Sequence, residues 1–228
     1  MIKALDLYAK IEPLIGFYEE YEELYASYVE ILLSLHVDKI LDVGCGNGKL
    51  LQHLKNNNFK ACGIDRSQEM VKRAIKLDVK ASTKELSDFK SASFECVLAV
   101  GDVLNYIKKE DLESFFQNIS NVLKKDGYFI CDINTLDGFD VTDGIMVRDN
   151  PDEFLSIEAN FKDEILTTDI VLFEKHKNSY KKYSDTIYQY YHTLSSLKNL
   201  NFLKLIETFD ISMFSDNVDK KILLFKKL

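Results

Sequence analysis

One carboxylate and three glycines stand close together in residues 42–48, directly after an apolar run. Asp42, Gly44, Gly46 and Gly48 form the pattern Asp-x-Gly-x-Gly-x-Gly. Glycine lets the backbone turn sharply and lets a ligand approach the main chain closely. A helix that begins after such a loop adds free N–H groups and a partial positive charge. This spacing indicates a loop that holds a nucleotide cofactor, although glycines after a strand can also serve only to make a turn.

A second carboxylate, Asp65, ends the next apolar run, at 60–64, and lies 21 residues after Gly44. A carboxylate at this place can accept hydrogen bonds from both hydroxyls of a ribose. The dinucleotide pattern G-x-G-x-x-G would require its third glycine at Lys49, whereas the glycine comes one residue earlier, at Gly48. The acid agrees with either type of nucleotide cofactor, but the glycine spacing disfavours NAD.

With these motifs the chain resembles the class I S-adenosylmethionine-dependent methyltransferases, whose first motif has the same form. The stretches 94–107 and 127–135 are similar to the fourth strand with its following loop, and to the fifth strand, of bacterial small-molecule methyltransferases. The resemblance implies S-adenosylmethionine as the cofactor and S-adenosylhomocysteine as the product. Many members of that subgroup end an insertion with His and Arg around a Gln. Here Ile187 and Tyr190 flank Gln189, so the resemblance carries no substrate assignment.

The resemblance also implies roles for residues at the cofactor. Gly44 and Gly46 would let the backbone meet the methionine part, Asp42 would face its ammonium group, and Asp65 would hold the ribose. Residues after the third strand would surround the adenine. The implied cofactor contacts are Asp42, Gly44, Cys45, Gly46, Asn47, Gly48, Asp65, Arg66, Met70, Ser82, Thr83, Lys84, Val100, Gly101 and Asp102.

Methyl transfer by in-line displacement needs alignment of the reactants and a dry site, because the cofactor itself supplies the reactivity. A protein base is useful only if the nucleophile must lose a proton. Asp102 and His192 are the candidates for that role, with a packing histidine as the simpler interpretation of His192. The candidate substrate contacts are Tyr18, Tyr21, Asn105, Tyr106 and Asn134, and the tyrosines could instead pack the core or a lid.

Strand-like and helix-like segments alternate from residue 38 onward, which predicts an α/β fold. We expect a Rossmann-like, seven-stranded, mostly parallel sheet with helices on both faces. The predicted strands are 38–43, 60–64, 78–82, 94–100, 127–133, 202–210 and 220–227, and the predicted helices are 48–56, 68–76, 110–124 and 193–199. Residues 1–228 are expected to form a single methyltransferase domain. Within it, 1–36 would be an N-terminal helical cap, and 145–192 an inserted lid or platform of three antiparallel strands.

Composition limits the partners of the chain. A formal net charge of −8 argues against general nucleic-acid binding, which needs clustered Lys and Arg. The four cysteines include no C-x-x-C pair, so no metal site is expected and buried free thiols are predicted. No signal peptide and no apolar run of about 20 residues is evident, which predicts a cytoplasmic protein without a membrane span.

The sequence therefore predicts a methyltransferase that acts on N, O or C of a small molecule. One alternative is another enzyme, a protein or RNA methyltransferase. The other belongs to a different functional class and is a non-catalytic S-adenosylmethionine-binding regulatory module. The sequence leaves a monomer and a homodimer equally open, and substrate identity would depend on the cap and the insertion.

Overall fold

The computed structural model describes residues 4–16 and 18–228 and contains two β-sheets with flanking helices. The strands are β1 (Lys39–Val43), β2 (Lys60–Ile64), β3 (Ala81–Ser82), β4 (Phe94–Ala99), β5 (Leu123–Asn134), β6 (Gly144–Asn150), β7 (Glu153–Lys162), β8 (Ile165–His176), β9 (Ser179–Tyr190), β10 (Leu203–Ile211) and β11 (Lys220–Lys227). The helices are α1 (Ala4–Ile15), α2 (Tyr18–Leu35), α3 (Lys49–Asn56), α4 (Gln68–Lys76), α5 (Leu112–Val122), α6 (Leu136–Thr142) and α7 (Leu194–Lys198).

The central sheet has seven strands in the order β10–β11–β5–β4–β1–β2–β3. Strand β11 runs antiparallel to both of its neighbours, while β1 to β5 pair in parallel. Helix α5 packs on one face around Phe116, and helices α2 and α3 pack on the other face around Tyr28 and Leu51. The predicted Rossmann-like fold is confirmed, and the carboxyl ends of β1, β2 and β4 lie side by side.

The predicted boundaries shift where the chain passes from α5 into β5. The helix ends at Val122 instead of residue 124, and the strand begins at Leu123 instead of 127. Leu123 is completely buried and pairs with Phe94 of β4, so burial fixes the start of the strand. The third strand is shorter than predicted and covers only Ala81–Ser82.

A second, antiparallel sheet is built from β6 to β9, in that order. The prediction of three inserted strands is wrong, because β6 adds a fourth. Almost every residue of β6 is exposed, so the strand lacks the alternation of apolar and polar residues that marks a half-buried strand. In the described part of the chain it is an edge strand, paired with β7. Helix α6, which precedes β6, was also not predicted. Its N-cap is Thr135, whose hydroxyl accepts a hydrogen bond from the Gly138 N–H at 3.2 Å.

Helix α1 connects the two sheets. Its buried Leu7 and Ile11 pack on Leu155, Ile170 and Leu172 of the antiparallel sheet. The helix continues through Pro13 and ends before Gly16, where φ is +87°. The antiparallel sheet and α1 therefore form one packed unit beside the glycine loop. In the part of the chain that is described, no helix is long and apolar enough to span a bilayer.

Candidate active site at the carboxyl ends of the parallel strands

The glycine loop between β1 and α3 is held against the end of β2. The N–H groups of Gly44 and Cys45 donate to the carbonyl oxygen of Ile64 at 2.8 and 3.0 Å. Gly44, Gly46 and Gly48 all adopt positive φ, at 75°, 50° and 82°. These values are strained for residues with a Cβ atom.

The three glycines differ in what surrounds them. A Cβ on Gly44 would lie 2.6 Å from Cγ2 of Val103, and one on Gly48 would lie 2.6 Å from Cβ of Ala74. A Cβ on Gly46 would meet no atom within 4 Å. Two of the glycines therefore permit close packing, while Gly46 borders open space that a ligand can enter.

Two acidic side chains converge on this loop. The Asp65 carboxylate accepts hydrogen bonds from the N–H of Gly46 at 2.9 Å and of Ser67 at 2.8 Å. Asp42 is only 2% exposed, and its Oδ1 atom has no hydrogen-bond partner among the described residues. Burial raises the pKa of Asp42 to about 8, and the nearby charge of Asp65 adds to the increase. A buried carboxylate without a partner suits a positively charged ligand group.

Helix α1 supplies further contacts to the same loop. Glu12 accepts hydrogen bonds from the Asn47 side chain at 2.6 Å and from Arg73 at 3.1 Å. The hydroxyl of Ser67 donates to Asp6 at 2.6 Å. Sequence reasoning missed Asp6, Glu12 and Arg73, because their partners lie 35 or 61 residues away and no local motif marks them.

The other residues implied as cofactor contacts lie along neighbouring strand ends. Met70 and Val100 are buried, Ser82 is half-buried, and Arg66, Thr83 and Lys84 are exposed. Cys45 is buried within the loop, and burial raises the pKa of its thiol. The Asp65 N–H donates to the carbonyl oxygen of Ser82 at 3.1 Å, which places the end of β3 beside Asp65.

A second group of acids lies at the ends of β4 and β5. Asp132 is fully buried and accepts hydrogen bonds from the N–H of Gly101 at 2.8 Å, the N–H of Asp102 at 3.0 Å and the hydroxyl of Tyr28 at 2.9 Å. The loop after β4 is thus fixed to β5 through a side chain. Asp102 itself adopts a left-handed conformation with φ of +67°.

Lys220 of β11 joins these acids. Its ammonium group contacts Asp102, lies 2.9 Å from Asp132 and lies 3.0 Å from the side-chain oxygen of Asn134. Burial works against the charge of Lys220, yet the two carboxylates raise its pKa above the ordinary value. Burial also acts to raise the pKa of Asp132, but Lys220 and the backbone N–H groups outweigh it and lower that pKa. Sequence reasoning identified Asp102 and Asn134 here but missed Asp132 and Lys220.

Asn105 and His192 tie the loop after β4 to the end of the antiparallel sheet. Asn105 is fully buried, accepts from the Asn134 N–H at 3.0 Å and donates to the Tyr190 carbonyl at 2.9 Å. Nε2 of His192 lies 3.0 Å from the carbonyl oxygens of both Leu104 and Ile107, so this nitrogen carries the proton. Burial lowers the pKa of His192. These contacts favour the packing interpretation of His192.

Two of the candidate tyrosines lie at the loop after β4. Cε1 of Tyr21 lies 3.6 Å from the position of a Cβ on Gly101. Burial, and then the charge of Asp102, raises the pKa of Tyr21. Burial raises the pKa of Tyr106, and the side chain packs against the apolar cluster that α1 forms with the antiparallel sheet. The side chain of Tyr18 falls outside the described residues.

Comparison with known proteins agrees with this geometry. The model of a family described as a methyltransferase domain matches residues 41–131, which include the glycine loop, Asp65 and the loop after β4. A candidate methyltransferase of Geobacillus sp. strain WCH70 is 35% identical over 107 residues. That alignment covers 42% of this chain and 42% of the Geobacillus protein, so the chain matches less than half of that relative's length.

Two solved structures share the fold across almost the whole chain. A S-adenosylmethionine-dependent methyltransferase from Clostridium acetobutylicum has a TM-score of 0.75 at 22% identity, covering 97% of this chain and 96% of that one. CalS10, an amino pentose methyltransferase from Micromonospora echinaspora solved with S-adenosylmethionine bound, has a TM-score of 0.67 at 11% identity, covering 97% of both chains. Residues 41–131 therefore match a methyltransferase domain, and the whole chain has the fold of these two methyltransferases.

The crevice beside the glycine loop fits S-adenosylmethionine, which is bound in the CalS10 structure. This cofactor carries an ammonium and a sulfonium charge, and the buried Asp42 leaves one carboxylate oxygen unpartnered beside the glycine loop. The open space at Gly46 lets a ligand reach the main chain. A dinucleotide would instead bring a negatively charged diphosphate toward Asp42, Asp65 and Glu12, whose pKa values burial already raises.

Proposed function

We propose that this methyltransferase moves the methyl group of S-adenosylmethionine to a small-molecule acceptor by in-line displacement. The observation that carries the proposal is the unpartnered carboxylate of Asp42 beside the open glycine loop and Asp65. When bound, S-adenosylmethionine supplies an activated methyl group. Asp42 would hold its ammonium group, Asp65 its ribose, and the glycine loop its methionine part.

The antiparallel sheet and α1 support a small acceptor. Lys10 of α1 pairs with Glu174 of β8 at 2.6 Å, and Asn105 and His192 join the sheet's end to the loop after β4. We propose that this arrangement covers one side of the crevice and helps to exclude water. We propose that residues 1–228 act as a single domain, in which 1–36 are the cap and 145–192 the lid. The neighbouring amino pentose methyltransferase has the same fold and, by its name, a sugar acceptor.

Ligand-dependent melting tests this function. A ligand that binds only the folded protein raises its melting temperature with concentration. We expect S-adenosylmethionine and S-adenosylhomocysteine to raise it and NAD to leave it unchanged. Stabilisation by NAD, or by none of the three ligands, would contradict the proposed cofactor.

The class of acceptor is tested with isotopically labelled S-adenosylmethionine in a cell extract fractionated by size. We expect the label to enter the small-molecule fraction. Label in protein or RNA would indicate a macromolecular acceptor instead. Tight binding without transfer to any fraction would favour the regulatory module.

A further inference from the structure

We propose that the methyl acceptor is an amine and that Lys220 positions Asp102 to hold the acceptor nitrogen. The proposal rests on the function above and names the substrate class of that same site. Four observations carry it: the unequal use of the two carboxylates, the net negative charge of the network, the tyrosine ring beside it and the absence of an accessible, unpaired base among the described candidates.

The first observation is the unequal use of the two carboxylates. Asp132 is completely buried and receives hydrogen bonds from Gly101, Asp102, Tyr28 and Lys220, so its acceptor capacity serves the protein. Asp102 contacts the same ammonium group but keeps 19% of its side chain exposed. Asp102 is therefore the member of the network that a ligand can reach.

The second observation is the charge of the network. Two carboxylates face one ammonium group, which leaves one negative charge on the group of three. Lys220 contacts the carboxylate of Asp102 directly and thus fixes its orientation. We class Lys220 as a positioning residue, because it acts through Asp102.

The third observation is the neighbourhood of Asp102. The ring of Tyr21 lies beside it, with Cε1 3.6 Å from the position of a Cβ on Gly101. Burial and then the charge of Asp102 raise the pKa of Tyr21. Val103, the next residue, packs against Gly44, so Asp102 lies close to the glycine loop. An aromatic ring beside a carboxylate favours the positive charge that appears on an amine nitrogen as it takes up the methyl group.

The fourth observation concerns proton removal. An alcohol acceptor must lose its proton to a base. Asp102 is held by Lys220, and the protonated Nε2 of His192 is bound to two carbonyl groups. The other ring nitrogen of His192, Nδ1, has no hydrogen-bond partner among the described residues, but it is buried away from the surface. A neutral amine needs no base, because its nitrogen already has a free lone pair.

In the proposed step, the lone pair of the amine forms the new N–C bond. The C–S bond breaks, and its electron pair stays on sulfur. Positive charge moves to the nitrogen, whose N–H remains bonded to Asp102 until the product loses a proton to water. Because this charge appears as the reaction proceeds, the contact with Asp102 strengthens toward the transition state.

Sinefungin tests the carboxylate without knowledge of the acceptor. This analogue of S-adenosylmethionine carries an amine-bearing carbon in place of the methyl-bearing sulfur. We expect wild-type protein to bind sinefungin about tenfold or more tighter than S-adenosylhomocysteine, in keeping with a charge-assisted hydrogen bond. Asp102→Asn should lower this ratio to near one, because the amine of sinefungin then loses its charged partner. An equal ratio in wild type and variant would overturn the proposal.

The role of Lys220 is tested with the same ratio. Lys220→Arg retains the charge and should keep most of the preference for sinefungin, while Lys220→Met should lose it. Lys221→Met is the matched control, because Lys221 pairs with Asp210 outside the network, and the ratio should not change. Loss of the ratio in Lys221→Met as well would overturn the role of Lys220. Failure of wild type to bind either ligand would instead refute the proposed function.

Matched amine and alcohol compounds test the acceptor class. With holoenzyme and labelled S-adenosylmethionine, the amine of each pair that is methylated should react at least about tenfold faster than its alcohol, since only the amine pairs with Asp102. Asp102→Asn should lower kcat more than it raises KM. An alcohol methylated as fast as its amine would overturn the assignment.

Discussion

Two pairs of carboxylates, each with one fully or almost fully buried member, lie at the same edge of the sheet and differ in whether the protein supplies a cation. Asp102 and Asp132 receive an ammonium group from Lys220 of the protein itself. Asp42 and Asp65 form no ion pair within the described residues, and burial raises the pKa values of both. The protein therefore supplies a cation to the first pair. The second pair has no cation among the described residues, and the unpartnered oxygen of Asp42 suits a positively charged ligand group.

The comparison also separates stability from binding. A buried ion pair that loses its cation leaves an uncompensated charge, so the Asp102–Asp132 pair should matter most for folding. A buried carboxylate without a partner lowers the stability of the free protein. A positively charged ligand offsets that free-energy cost when it binds. Substitutions in the two regions should therefore affect different measurements.

The largest effect is expected from Lys220→Met. Removing the buried ammonium leaves Asp132 and Asp102 facing each other, which should lower the free energy of unfolding by about 3–5 kcal/mol. Urea titration of wild type and variant measures this change. Lys221→Met is the control, because its partly exposed pair with Asp210 should contribute at most about 1 kcal/mol. A similar decrease in the free energy of unfolding in both variants would contradict the special role of the buried ammonium group of Lys220.

A smaller change in stability is expected from alanine substitutions at Gly48 and Gly46, two glycines of the same loop. Gly48→Ala should destabilise the fold through left-handed strain of about 1–2 kcal/mol. The contact of its new Cβ with Ala74 should add about 1–3 kcal/mol of overpacking. Gly46→Ala should show only the strain, since its Cβ meets no protein atom within 4 Å, yet it should weaken S-adenosylhomocysteine binding. Urea titration and calorimetry of both variants check this. Unchanged binding by Gly46→Ala would place the ligand elsewhere.

The smallest effect at any single step of pH is the one that Asp42 imposes, at most about 1.4 kcal/mol per pH unit. Its pKa in the folded protein is about 8, above the unfolded value of 3.8. The folded state therefore binds an extra proton between these values, and the stability that this group contributes is present below pH 3.8 and is lost as the pH rises toward 8. Unfolding measured across this window should show a decline that Asp42→Asn reduces.

Ligand affinity should rise with pH between 3.8 and about 8, whereas the stability of the free protein falls over the same range. A positively charged ligand lowers the pKa of Asp42, so binding releases a proton and affinity rises with pH, by at most about tenfold per pH unit. Calorimetry in buffers of different ionisation enthalpy counts the proton. Equal proton release in wild type and Asp42→Asn would contradict the role of Asp42.

The two regions also differ in how far sequence predicts them. The glycine loop and Asp65 lie within one strand–helix–strand unit, so their spacing alone indicates their proximity. Lys220 meets Asp132 across 88 residues and Asp102 across 118, and Tyr28 meets Asp132 across 104. No local pattern marks such contacts, because they depend on sheet order and on the antiparallel register of β11.

The fold shows the same contrast. Buried strands such as β1 and β4 are predicted within one residue, since burial on both faces gives continuous apolar runs. The exposed strand β6 has no such run and forms only because β7 offers a pairing edge. Likewise, Ser67 caps α4 as its sequence predicts, whereas the contact of Ser67 with Asp6 needs the position of α1.

The most direct test of the account is a calorimetric titration of wild type and Asp65→Ala with S-adenosylhomocysteine and with NAD. We expect S-adenosylhomocysteine to bind the wild type and to bind Asp65→Ala at least about tenfold more weakly, because a charged hydrogen-bond acceptor is lost. Asp78→Ala is the control, since this carboxylate is exposed and pairs with Lys55, and it should bind like the wild type. Binding of NAD alone, or equal S-adenosylhomocysteine affinity in all three proteins, would contradict the proposed cofactor site.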